Sequence, residues 1–186
     1  MARFSERYGY TKVSEVIIRE QITPEIQNAI CTCFDRLPEI FRYVTTEIKV
    51  RSDRYQYVYL EEEVWVSFFN ERLRDFNNDQ PSFITEFITD PFNTWYQKLD
   101  LLEFVISYLI FMDETWDNSK YVSTLFVKML NYEFERLNFA YRIIGEEIVE
   151  ITSQDEIESI ESAIDNSPKN IQIHLNSALE MYAKRP

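Results

Sequence analysis

Glycine is almost missing from this chain: Gly9 and Gly145 are the only two in 186 residues. Loops that cradle phosphate need glycine where the backbone approaches the ligand closely. A P-loop and a dinucleotide fingerprint are therefore excluded. Histidine is scarcer still, since His174 stands alone. A metal site or a Ser-His-type triad would need specific partners close to it, and none is suggested by its place on an amphipathic run. It reads as a surface or boundary residue. The two cysteines, Cys31 and Cys33, are separated by one residue, which on a helix turns the side chain by about 200°. They point to opposite faces, so neither a disulfide nor a zinc site is expected, and the reading is a reducing cytoplasm. Basic residues are outnumbered, 19 Lys and Arg against 32 Asp and Glu, for a formal net charge of −13. Proteins that grip phosphate backbones are usually basic, so direct nucleic-acid binding is not expected and a basic partner fits better. No apolar run reaches the roughly 20 residues of a membrane span. The opening Ala2-Arg3-Phe4-Ser5-Glu6-Arg7 leads into no signal-peptide core.

What the chain does have is apolar mass, 45% of residues with 16% aromatic, enough for the core of one domain over 1–186. Its organising stretch runs from Phe92 to Met112. Between Leu101 and Met112 the only charge is Glu103, and the apolar residues keep to no single stripe. A helix apolar on all sides is a buried one, so 99–112 is predicted to be the most buried helix. The fold class expected is mainly α, a bundle-like domain around that helix.

Other elements follow from local signals. Thr23-Pro24-Glu25 starts a helix, with Thr as cap, Pro at the first position and an acid near the positive end. Pro38 is expected to end or kink it. Residues 44–59 are ambiguous: Ile48 and Val50, then Tyr55, Tyr57 and Tyr59, alternate as in a strand, yet 61–73 reads helical, which favours a helix from Asp53 or Tyr57 to Leu73. Residues 77–82 form a loop and 82–89 a short helix. Asp113 to Ser119 reads as a polar connection, and 120–139 as a helix with Val122, Leu125, Phe126, Met129, Leu130, Phe134 and Leu137 inward. Tyr141 to Ile151 predicts one small β-hairpin turning at Gly145-Glu146 in a type II′ turn. A capped helix with Ile157, Ile160 and Ile164 follows, then a last helix over 168–186.

No catalytic constellation emerges. Asp113, Glu114 and Asp117 read as solvated surface, not as a cation site, and no metal or cofactor is expected. From Glu146 to Asp165 there are eight acids and no base, a solvated face or a docking surface for something basic. Asp100 and Glu103 interrupt the apolar helix. A buried carboxylate is costly unless paired, so they are read as a structural polar pair, with Arg136 or Arg142 as partner or at an exposed edge; a catalytic pair is the weaker alternative. Arg3 and Arg7 surround Tyr8 and Tyr10, a candidate surface for binding or interdomain contact, expected to dock through its rings.

Several stretches together resemble a known family. Phe4-Ser5-Glu6-Arg7-Tyr8-Gly9-Tyr10 with Val13 and Glu15-Val16-Ile17 resembles the opening of N-terminal domains in AbiJ-like abortive-infection proteins of bacteria. Trp95-Tyr96 with Asp100, Glu103 and Phe104 is similar to that family's mid-domain helix. Tyr141-Arg142 through Glu147-Ile148-Val149 and Ile151, with Glu156 to Glu161, His174-Leu175 and Ala178-Leu179, matches its C-terminal part. The resemblance implies phage defence, with this module preceding a HEPN-type effector, a ribonuclease whose signature is an Arg and a His a few residues apart. His174 has no Arg in reach, so no nuclease residue carries over. The resemblance implies a non-catalytic sensor or regulatory module that controls the effector and answers a phage-derived trigger. An oligomerisation scaffold, which makes the chain its own partner, is the alternative, and an unrecognised enzyme using Asp100 and Glu103 the third. The ending Lys184-Arg185-Pro186, directly after a helix, suggests the front part of something longer.

Overall fold

Thr23 caps the first helix as its sequence predicts, its hydroxyl 3.4 Å from the Ile26 amide. A computed structural model describes residues 17–47, 57–77, 83–116 and 121–151. The first helix, α1, spans Pro24–Glu47 and runs through Pro38. Of the two expected outcomes, a stop or a kink, the stop is thereby excluded. Proline deletes one helix hydrogen bond and crowds one carbonyl, but Leu37, Phe41 and Val44 on either side of it are fully buried. Their burial stabilises the helix beyond the break by more than the lost bond costs, at about 1.5–3 kcal/mol per buried large side chain.

Helix α2 (Tyr57–Glu63) widens into a π-helical turn, Val64–Phe68. The expected helix to Leu73 is therefore cut short. The Phe69 amide donates to the Val64 carbonyl at 3.0 Å and the Glu71 amide to Trp65 at 3.0 Å, while Asn70 turns the chain out at φ 57°. A single 3-10 turn, Leu73–Asp75, follows. Helix α3 covers Phe83–Thr89, in agreement with the sequence.

Helix α4 spans Trp95–Trp116. Its start is a reciprocal capping box: the Thr94 amide donates to Gln97 Oε1 at 2.9 Å, and the Gln97 amide returns to Thr94 Oγ1 at 3.5 Å. Leu101, Leu102, Val105, Ile106, Leu109 and Met112 are all buried, but Ser107 and Phe111 are exposed, so the helix buries one broad face and not its whole circumference as expected. The helix packs against α2, the π-helical turn and the elements that follow it.

Helix α4 does not end at Met112, and Asp113 is not surface. Asp113 is fully buried and receives the amides of Val122 (3.4 Å) and Ser123 (2.9 Å) and the Ser123 hydroxyl (2.6 Å). It thus serves as the N-terminal cap of helix α5 (Tyr121–Arg136), supplied from the preceding helix and favoured by the helix dipole. Val122, Phe126, Leu130 and Phe134 of α5 face inward, Phe126 against Phe34 of α1 at 5.2 Å. Leu125, expected inside, is exposed.

Helix α5 ends in a complete Schellman motif without glycine. Asn138 takes φ 53°, its amide donates to Glu135 at 3.1 Å, and the Phe139 amide donates to Phe134 at 2.9 Å. The Phe134 and Phe139 rings meet at 4.9 Å, the apolar contact that accompanies this cap. The hairpin follows, β1 (Tyr141–Ile144) antiparallel to β2 (Glu147–Glu150). Gly145 has φ 64° while Glu146 is not in the positive region, the signature of the type II′ turn. Ile18 pairs in parallel with Phe139: its amide reaches Asn138 at 2.8 Å, and its carbonyl receives Ala140 at 2.9 Å. Arg19 adds an exposed ion pair to Glu150. The helices expected over 153–186 lie outside the described residues, as do 48–56 and most of the 77–82 loop. Among the described residues no helix is long and apolar enough to cross a membrane.

Candidate functional site

The residues singled out in the sequence do not converge. Arg3, Arg7, Tyr8, Tyr10 and His174 lie outside the described residues. Asp100 is exposed on α4. Glu103, one turn on, is half-buried and accepts the Ile148 amide of β2 at 2.6 Å. Burial raises its pKa, the Ile148 amide opposes the rise, and the Asp100 charge adds to it. Asp100 thus takes the exposed edge that was one of the two expectations, while Glu103 is engaged by this backbone amide. Arg136 is bound to Glu133, and Arg142 donates to the carbonyls of Phe139 (2.7 Å) and Tyr141 (2.8 Å). The geometry makes Glu103 a clamp for the hairpin.

A cleft that no sequence signal marked is built from three separate stretches. The π-helical turn supplies Trp65 and leads to Phe69. An extra residue in a helical turn shifts the side chains that follow out of the ordinary register, which is one reason π-turns recur at functional sites. Trp65 Nε1 donates to the Arg72 carbonyl at 3.1 Å, which ties the irregular segment back onto the helix. Across from them α3 presents Phe83 and Phe87, four residues apart and hence on one face. The rings are held edge-on: Trp65 to Phe83 at 5.2 Å, Phe69 to Phe83 at 5.7 Å, Phe69 to Phe87 at 5.1 Å. Such offset geometry is favoured by the ring quadrupoles.

The third side is the turn after α3. Asp90 accepts the Phe92 amide at 2.8 Å, and Asn93 donates to the Phe87 carbonyl at 2.9 Å, so the turn is tied back to α3. The cleft is open to solvent and measures about 310 Å³, with Glu71, Glu86 and Asp90 among its lining residues. The four rings are only partly buried, so apolar surface faces the cleft. Its size is at the small end for ligand sites, suited to one side chain or a small group.

A second, smaller hollow of about 110 Å³ lies between α1 and α5, beside Cys33, Arg36, Met129 and Glu133. Both cysteines are free thiols. Burial pushes Cys33 up to about 11 and also raises Cys31, which leaves both as protonated, weak nucleophiles. Lys98 of α4 is buried with its ammonium 3.4 Å from Gln27 of α1. Burial lowers its pKa and the nearby Asp90 opposes that shift. Among the described residues no group of three or more His, Cys, Asp or Glu is placed to hold a metal ion.

The family model described as AbiJ N-terminal domain 4 matches residues 2–166. No curated protein and no solved structure matches the chain. The chain belongs to the AbiJ N-terminal domain 4 family, and is thus a module of the abortive-infection type.

Proposed function

We propose that this module is the non-catalytic sensor and regulator of an anti-phage protein, and that it controls a C-terminal HEPN-type effector in the bacterial cytoplasm. The observation that carries the reading is the family match, which spans an N-terminal domain over most of the chain. The polar chemistry of the described residues is consistent with it. Asp113 caps a helix, Glu103 clamps a strand, Asn131 holds β1, and Lys98 ties two helices together. These groups are spent on architecture, and the concave surface they leave open is aromatic and acidic, suited to contact. Phage-derived trigger and effector would then be read through surfaces of the domain.

The test is expression of a HEPN-type effector domain from an AbiJ protein with and without this chain, supplied separately. Growth arrest by the effector alone, relieved by the chain and restored on phage infection, is the expected result. Equal toxicity in both cases, with no co-purification of the two parts, would overturn the regulatory reading.

A further inference from the structure

We propose that the cleft between the π-helical turn and α3 is a docking site for an arginine-bearing segment of a partner protein. The inference stands on the cleft alone and does not depend on which effector the module controls. Its walls are partly exposed faces of Trp65, Phe69, Phe83 and Phe87, and its margin carries Glu71 and Glu86. Aromatic faces attract a cation, tryptophan most strongly, and a planar guanidinium stacks on a ring while its edge meets a carboxylate.

Other occupants fit less well. An anion meets carboxylates and the field of a chain with net charge −13. A purely apolar group would strip water from the carboxylates without replacing it. A metal ion would need three or more ligating groups together, and no such set is found among the described residues. Among the described residues no basic side chain lines the cleft. Lys98 lies near Asp90 and partly answers its charge, which leaves Glu71 and Glu86 as the acids that face a partner. The acidic surface also draws a basic segment toward the protein before contact. A second copy of this chain carries the same net charge and is repelled at long range. The site therefore takes a basic partner, with one arginine seated on the rings.

The experiment uses the full chain and a fluorescein-labelled peptide alternating arginine and glycine, read by anisotropy at low and at physiological salt. Saturable binding is expected. Glu71→Gln with Glu86→Gln, both exposed and of unchanged shape, is expected to weaken it roughly tenfold, and Trp65→Phe to weaken it by a smaller factor. A remote change, Glu135→Gln on α5, should leave the affinity unchanged. Circular dichroism checks that each variant keeps its helices. Failure of the peptide to saturate, equal binding by the cleft variants, or an equal loss from Glu135→Gln would each overturn the proposal, the last by showing attraction to the acidic surface in general.

Discussion

Asn131 gives Ile143 both hydrogen bonds that a neighbouring strand would have given it. Its Nδ2 donates to the Ile143 carbonyl and its Oδ1 accepts the Ile143 amide, each at 2.8 Å. Ile143 faces Ile148 across the hairpin, at a pair whose backbone groups point away from each other. On the other edge Glu103 takes the Ile148 amide. A two-stranded hairpin is marginal alone in water; this one is held at both edges by side chains from α5 and α4. Asn131→Ala should therefore cost about 2–3 kcal/mol by leaving two partly buried backbone groups unsatisfied. Urea unfolding measures the loss, and faster hydrogen exchange at the Ile143 amide locates it. A change below about 0.5 kcal/mol would show that water replaces the amide freely.

Asp113→Ala removes the cap of α5 and leaves three donors at a buried helix start. The expected loss is about 2–4 kcal/mol. Ser123→Ala removes only one of those donors, so its cost should be nearer 1 kcal/mol. Equal costs for the two substitutions in chemical denaturation would contradict the capping role.

Glu61 titrates near neutrality. Burial lifts its pKa from 4.5 to about 7, against the opposing hydrogen bond from Tyr57. The folded state thus binds the proton more tightly than the unfolded one, and stability falls as pH rises from about 4.5 to about 7. Glu61→Gln removes that slope and should stabilise the protein above pH 7 by on the order of 1 kcal/mol, solvent screening included. Melting temperatures across this range test it. An unchanged slope in the variant refutes the assignment.

Asn138→Gly should destabilise less than a β-branched replacement, because glycine meets the left-handed cap at no steric cost. Asn138→Val should destabilise by about 1–2 kcal/mol, since a β-branched residue resists that region. If both behave alike in thermal unfolding, the cap is unimportant.

Cys33 is expected to resist alkylation by iodoacetamide at pH 8, where its buried thiol stays protonated. Cys31, partly exposed, should react first, and mass spectrometry of the peptides separates the two. Cys33 labelling at the rate of a free thiol would show that the α1–α5 contact opens readily.

Local chemistry was legible where it is local. The Thr23-Pro24 start, the apolar 99–112 stretch and the turn at Gly145 depend on neighbouring residues, and the structure follows them. Thr94 and Gln97 carried a capping-box spacing that locates the start of α4 at Trp95. Asp113 was misjudged because an acid near an apolar helix normally ends in water; only the arrival of the α5 N-terminus makes its burial favourable. The widening after Glu63 likewise follows from packing, not from propensity. The cleft stayed hidden for a related reason, as its rings come from separate stretches whose meeting is a tertiary event. Scarcity of glycine had a consequence that the composition alone did not locate: Asn70 and Asn138 take the left-handed positions at the ends of helical segments.

The Ile18–Phe139 bridge also sets an order of events during synthesis. Translation delivers the chain from its N-terminus, slowly compared with the formation of a helix. Ile18 leaves the ribosome long before Phe139, so its backbone groups wait without their partner while α1 to α5 are made. The bridge closes one of the longest loops in the described chain, and such contacts carry their entropy cost before they return anything. The Ile18 amide and carbonyl therefore cannot take these partners until Asn138 and Ala140 have been made.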